Sequence, residues 1–419
     1  MSSEPSRGRV HVVGAGLAGL SAAVGLAARG VEVELSEAAG QAGGRCRSYF
    51  DSQLGLVIDN GNHLVLSGNQ AVMRYLHAIG ASDRLAGPDR AEFDFVDLRN
   101  GERWRLRPNE GPLPWWVFAK DRRVPGTRFA DYLGLAGLLA PQPGKRVDQV
   151  LNCSGALWER LLDPFLLAVL NTRPQTGSAD LAGAVVRETL AKGGRFYRPR
   201  IAEPTLAAAF VDPALKTLDA RTNATVRLNR RLRGFVFDAD RVSGLAFGDE
   251  VTPVGAHDRV VLATPPWIAQ GLIEDLSVPD AFRSIVNAHF KLAPPAGAPP
   301  IVGVIGGTAE WVFAFPDRLS VTVSGADAIV DENRETLIRR IWADVCAVHG
   351  LYGDLPPWQI VKERRATFAA TPEQDARRPG ARTAWRNLFL AGDWTATGLP
   401  ATIEGALRSG ETAAALAAQ

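Results

Sequence analysis

Hydrophobic positions in the first fifty residues change period twice. Val10-His11-Val12-Val13 is a short β-branched run, which predicts a buried strand. A glycine-rich turn follows, Gly14-Ala15-Gly16-Leu17-Ala18-Gly19. An Ala/Leu-rich stretch then predicts a helix ending near Gly30. Val31–Leu35 alternates at strand period and Glu37 comes directly after it. Strand, helix and strand in that order predict a βαβ unit.

The middle of the chain is less regular. A helix is expected over 70–87 and strands over 91–107, where Phe93, Phe95, Leu98, Trp104 and Leu106 carry the apolar alternation. Residues 112–145 are rich in Pro, Gly, Leu and aromatics, with Trp115-Trp116 and Leu133–Leu139. Helices are expected over 155–191, around Leu170-Asn171-Thr172. From Ala224 the strand pattern returns at 225–228, 232–237, 244–247 and 259–263. Further strands and a helix near 333–349 fill 285–370. Residues 387–393 predict a strand ending in Gly392-Asp393, before a terminal Ala-rich helix.

Composition narrows the class. The chain has 419 residues, 46% of them hydrophobic and 22% charged, which excludes a disordered or fibrous chain and allows two to three domains. A formal net charge of +2 without a long block of either sign argues against a nucleic-acid partner. Cys46, Cys153 and Cys346 lie far apart, fit no zinc spacing or disulfide framework, and predict a reducing, cytoplasmic setting with no metal. The segment MSSEPSRGR is polar and reads as no signal peptide. The longest uncharged run, Leu292–Ala309, is too broken by Pro and Gly to cross a bilayer as a helix.

The chemistry of the glycine turn is specific in context. Gly14 permits the tight turn, Gly16 lets the backbone approach a pyrophosphate, and Gly19 lets the helix pack on the strand. The helix N-terminus offers free N–H groups and a positive dipole end. Glu37, 23 residues after Gly14, can accept hydrogen bonds from a ribose diol. A bare glycine turn would need none of this context. The second glycine pair, Gly43-Gly44-Arg45, selects FAD over NAD, because a long cofactor crossing that loop can meet the arginine. At the other end of the chain, Asp393 suits the ribityl or pyrophosphate region. Thr402 is an N-cap whose helix start would favour anionic reduced flavin.

These segments, with Val260–Pro266 and Phe389–Gly410, resemble the FAD-dependent amine oxidase and phytoene desaturase superfamily. DNGNHLVLSGN (59–69), LWERLLDPFLLAVLNTRPQTGSADL (157–181), PRIAEPTLAAAFVDPAL (199–215) and GDWTATGLPATIEGALRSG (392–410) resemble, within it, the hydroxysqualene dehydroxylase family of hopanoid biosynthesis. Two positions depart from that pattern: Asn62 stands where Gln is expected, and no aromatic stands near Asn69. Residues 281–380 match loosely.

The resemblance implies an α/β (α+β overall) architecture, a Rossmann-like FAD-binding domain of the amine oxidase type with an interleaved substrate-binding domain. The FAD domain is expected in 1–90, 216–280 and 381–419, the substrate domain in 91–215 and 281–380. Cofactor contacts are expected from Gly14, Ala15, Gly16, Leu17, Ala18, Gly19, Glu37, Ala38, Gly43, Gly44, Arg45, Leu232, Ala263, Gly392, Asp393, Ala401, Thr402, Ile403 and Ala406. The implied reaction replaces the allylic hydroxyl of hydroxysqualene, a lipophilic C30 isoprenoid, with hydrogen. His63 or Asp59 would supply the proton. Asn171 either orients the hydroxyl or caps a helix. Glu404 is expected to stay ionised at its helix end. Trp115-Trp116 belongs either to the core or to a tunnel mouth at the inner face of the cytoplasmic membrane, where an insoluble product implies peripheral contact. No second nucleotide fingerprint appears, which leaves a partner or a free reductant as the electron source. A carotenoid desaturase or an amine oxidase is the competing enzyme class, the latter calling for an aromatic pair in which Trp394 is one candidate. A non-enzymatic escort protein of the same fold is the third reading, and an intact flavin site argues against it.

Overall fold

The computed structural model describes residues 8–419; most of the polar N-terminal segment, with its signal-peptide reading, lies outside the described residues. Strand β1 (Val10–Val13), helix α1 (Leu17–Ala28) and strand β2 (Val33–Ser36) form the first unit. Two strands, β3 (Ala224–Arg227) and β4 (Arg259–Leu262), join from the middle of the chain, and β5 (Leu388–Leu390) joins from its end. Their order is β3-β2-β1-β4-β5, all parallel. Parallel sheets are covered on both faces and so read as continuous apolar runs; β1, β2 and β5 are buried at every position. Helix α1 and the terminal helix α2 (Ile403–Ala417) pack together on this sheet.

A second sheet of seven strands is assembled from 93–106 and 282–368. Of its six junctions, the one joining Phe93–Asp97 to Ile301–Ile305 is parallel and the other five are antiparallel. One face packs under the helix Arg334–His349 through Val286, Ala288, Val312 and Val321. The helices Asp163–Leu170 and Ala179–Glu188 lie on the other side of the core, with Phe95, Trp104 and Trp311.

Two expected elements change. The helix expected over 70–87 ends at Ala78, because Gly80 takes φ +67°, and Leu85–Ala86 is instead a strand paired to Pro199–Ala202. The stretch 112–145 forms short 3₁₀ turns at Trp115–Phe118 and Phe129–Leu138, and much of its apolar surface is exposed.

Candidate active site

The turn after β1 is shaped by steric necessity. Gly14 has φ +105°, and a Cβ there would lie 2.5 Å from the Ala263 carbonyl oxygen. At Gly19 a side chain would collide with the Gly14 carbonyl, so the helix sits against its own turn only without one. At Gly16 the same construction meets nothing within 4 Å. The backbone there opens on free space at the start of α1, where the first N–H groups have no intrahelical acceptor. Glu37 reaches this turn: one carboxylate oxygen accepts from Ala15 N at 2.7 Å and the other from Ala39 N at 2.9 Å.

The second glycine pair folds onto the first turn. Gly43 N donates to Ala15 O at 2.8 Å, and Gly16 and Gly43 form an isolated bridge. Arg45 then joins segments far apart in sequence. Its guanidinium donates to Asp393 Oδ1 at 2.6 Å and to the Ala366 carbonyl at 2.6 Å. Residues 45, 366 and 393, from three distant stretches of sequence, therefore meet at one point. Thr402 caps α2 by accepting from Gly405 N at 3.0 Å. Glu404 does more than face its own helix. It accepts from Ala71 N and Val72 N, each at 3.0 Å, and so caps a second helix N-terminus, while Arg408 donates to it at 3.1 Å.

His63 sits beside the Arg45–Asp393 pair. Burial, aided by the Arg45 charge and opposed by Asp393, lowers its pKa to about 4. At neutral pH its imidazole is neutral, able to donate or accept one hydrogen bond but seldom carrying an ionisable extra proton.

Asn62, its neighbour, donates through Nδ2 to Thr322 Oγ1 at 3.2 Å and leaves Oδ1 buried without a partner among the described residues. Thr264 Oγ1, just past β4, is buried and unpartnered in the same way. Open space at Gly16, free N–H groups, an arginine at the crossing loop and two orphaned buried oxygens fit a dinucleotide with a polar heterocycle at its far end. Among the described residues no group of His, Cys, Asp and Glu could hold a metal ion.

Two expected catalytic residues are otherwise engaged. Asp59 is 2% exposed, and its Oδ1 accepts from Ser48 Oγ at 2.5 Å and from Leu206 N at 2.9 Å. Burial raises its pKa, and those two donors with Arg318 work against the rise. It anchors the 48–59 hairpin to the chain at 206 and has no free face for substrate. Asn171 takes φ +47° at the end of the helix Asp163–Leu170. Its Oδ1 accepts from Gly325 N at 2.6 Å and its Nδ2 donates to Thr367 Oγ1 at 3.0 Å. Of its two readings, the helix cap is the one its contacts satisfy, and the carboxamide is used up in holding that cap to the seven-stranded sheet.

Trp394 is 2% exposed, with its indole N–H on the Thr264 carbonyl at 2.9 Å. It packs against the turn after β4 and is spent on structure, which removes the one candidate for an aromatic pair. Leu232 and Ile403 are buried core residues, and Ala263 lies against Gly14. Cys46, beside Arg45, has its thiol pushed up to about 12 by burial and is not a nucleophile.

Two features were missed by sequence reading. The first is a row across the seven-stranded sheet. Asn287 pairs with Thr322, Thr322 with Trp311, Trp311 with Gly303, Gly303 with Phe95, and Phe95 with Trp104. Directly paired residues share a face, and Asn62 touches Thr322. The polar end of the row thus lies under the 59–63 turn, and an aromatic track leads away from it. Gly303 carries no side chain, so Phe95 and Trp311 close over it at 5.8 Å between ring centroids. The second is Glu310, whose pKa burial raises to about 7 although Ser324 N donates to it at 2.7 Å. Ser324 adjoins Gly325, the residue bound by Asn171. Neither feature has a local motif: a lone Glu in GGTAEW carries no signal, and the row exists only once register is set.

Against known proteins, the family described as flavin containing amine oxidoreductase matches residues 17–418. The chain is 56% identical over 408 residues to the hydroxysqualene dehydroxylase of Rhodopseudomonas palustris, covering 97% of both chains. It is 50% identical over 407 residues to the hydroxysqualene dehydroxylase of Zymomonas mobilis, covering 97% of this chain and 98% of that one. Cyclohexylamine oxidase from Brevibacterium oxydans, at 15% identity, superposes with a TM-score of 0.71 over 98% of this chain and 99% of that one, which shows the shared fold.

Proposed function

The chain belongs to the flavin containing amine oxidoreductases, and on that premise we propose that it reductively removes the allylic hydroxyl of hydroxysqualene to give squalene. Identity of 50–56% along nearly the whole length to hydroxysqualene dehydroxylases carries this reading. The protein is an FAD-dependent oxidoreductase. Gly14–Gly19, Glu37-Ala38, Gly43–Arg45, Gly392-Asp393 and Ala401–Ala406 would hold the cofactor. When bound and reduced, FAD supplies hydride to an electron-poor carbon.

The residues of the chain must do the rest. The C–O bond breaks as the hydroxyl takes up a proton, water departs, and an allylic cation is left to be quenched: alcohol, proton and hydride give hydrocarbon and water. Glu310 is the group suited to supply the proton, since burial raises its carboxyl pKa to about 7 and leaves a large protonated fraction near neutral pH. His63, held neutral by burial with help from the Arg45 charge, donates a hydrogen bond and orients the leaving oxygen. The aromatic row Trp311, Phe95 and Trp104 gives a lipophilic floor whose ring faces tolerate positive charge. Water is kept out by the same burial that depresses His63.

We assign cofactor binding to 1–90, 216–280 and 381–419, and substrate binding to 91–215 and 281–380. No helix among the described residues is long and apolar enough to cross a membrane, and the substrate class calls for peripheral contact at the inner face of the cytoplasmic membrane. The test is direct: purified protein, its flavin reduced anaerobically, is given hydroxysqualene, and squalene should form as the flavin reoxidises. Turnover of amines or polyenes by the oxidised protein without squalene would favour the competing enzyme class.

A further inference from the structure

Exposed apolar side chains concentrate in one stretch. Leu113, Trp115, Phe118, Phe129 and Leu133 are 48–67% exposed. The three aromatic ones are neighbours in space as well: Trp115 and Phe118 rings lie 6.2 Å apart, and Phe118 and Phe129 5.3 Å. The 3₁₀ turns Trp115–Phe118 and Phe129–Leu138 hold them outward. Underneath, Trp116 meets Tyr132 edge-on at 5.2 Å, and Val117 and Leu138 are buried. A folded pedestal therefore presents the patch. Soluble proteins rarely leave so many large side chains together in water without a use.

The charge around the patch selects what it meets. Residues 112–146 hold six basic side chains and two acidic ones, Asp121 and Asp131, whereas the whole chain is +2. Lys120, Arg128 and Lys145 are exposed, and Arg122 is half-exposed. Large aromatics and leucines rimmed by lysine and arginine match the chemistry of an anionic bilayer surface, in which rings enter the acyl boundary and cations meet phosphates. A protein partner would match the apolar area but would have no general need for the one-sided basic rim.

We propose that this patch docks the protein on anionic phospholipid, with Trp115, Phe118, Phe129 and Leu133 entering the bilayer interface and Lys120, Arg122 and Arg128 binding lipid phosphates. The surface gives the peripheral contact a place and a lipid class, and rests on the lipid-borne substrate only for its purpose. Docking here would let a C30 isoprenoid pass between bilayer and protein without crossing water.

The flavin-loaded protein is sedimented with vesicles of phosphatidylcholine alone and of phosphatidylcholine with phosphatidylglycerol. Binding is expected to the anionic vesicles, weakened by added salt. The W115S/F118S/L133S variant should bind them at least roughly ten-fold more weakly, because three large apolar side chains no longer leave water for the interface. K120Q/R128Q should lose the preference for anionic lipid. Retained flavin absorbance shows that each variant is folded. A blue shift of tryptophan emission in wild type, lost in W115F, provides a readout from a conservative change. Failure of wild type to bind anionic vesicles, or binding indifferent to these substitutions, overturns the proposal. So does concentration-dependent self-association abolished by the triple change without vesicle binding, which would make the face an interface between copies. No turnover is measured, so failure here leaves the dehydroxylation standing, and failure of that reaction leaves vesicle binding standing.

Discussion

The five-stranded parallel layer and the seven-stranded sheet meet at the Arg45–Asp393 pair, yet they carry function in opposite ways. In the parallel layer each functional element is local. A glycine turn, an acid at the end of the next strand and an N-capped helix each do their work through backbone geometry within a few residues. In the large sheet nothing local suffices. Its aromatic row takes one residue from each of several strands, and Glu310 owes its raised pKa to burial among segments distant in sequence. On the proposed function, retention of the cofactor would belong to the first region and turnover to the second, with His63 at the junction.

Substitutions can break this division. The largest effect is expected from Gly14→Val: with φ +105° and the Ala263 carbonyl in the way, the turn cannot form. The protein should purify colourless, with flavin absorbance lost. Glu310→Gln should keep full flavin content and lower kcat on the order of 10²-fold, the loss of a positioned acid. If it loses flavin instead, the two regions are not separate in function. His63→Ala should also keep FAD and slow the chemical step about ten-fold, the cost of one hydrogen bond worth about 1.4 kcal/mol; loss of cofactor would make His63 part of the flavin scaffold. Asn171→Ala should lower stability by about 1–3 kcal/mol with kcat nearly unchanged, measured by denaturant unfolding. A large kcat effect at unchanged stability would restore its role toward the hydroxyl.

The pH dependence of stability separates the same groups. Glu310 has its folded pKa raised from 4.5 to about 7. Its favourable contribution is complete below pH 4.5 and is lost as pH rises through about 7. Glu310→Gln should therefore raise Tm relative to wild type at pH 8 and not at pH 5. Two histidines whose pKa is strongly lowered act the other way. With folded pKa values of about 4 for His63 and about 3 for His289, the unfolded chain binds more protons between pH 6.5 and those values. Stability should fall as pH falls through that window, and His289→Asn should flatten the fall.

The same contrast explains what could be read from the chain. Gly14, Gly19, Glu37 and the cap at Thr402 were legible because their chemistry needs fixed residue types at fixed spacing. Arg45 and Asp393 were each visible, but their contact across 348 positions was not. Asp59 and Asn171 are ambiguous in sequence for a common reason. Both are polar residues at chain turns in segments that resemble a functional family, and turns also need anchors and caps; only the partner list of each side chain decides between the two. The helix expected over 70–87 failed at Gly80, where apolar periodicity outlasted the backbone's ability to continue. The 112–146 stretch showed its apolar content in sequence, but exposure is a property of the fold. Its basic excess was hidden by the near-neutral total.

The central claim is that bound reduced flavin delivers hydrogen to the carbon that loses its hydroxyl, with the proton for the departing water drawn from the protein. The most direct measurement is a single turnover in D₂O: flavin reduced anaerobically after exchange, one equivalent of hydroxysqualene, and mass analysis of the product. Squalene carrying a single deuterium at the former carbinol carbon, formed in step with flavin reoxidation, is predicted. Unlabelled squalene, or flavin that stays reduced while hydroxysqualene is recovered, would contradict the account.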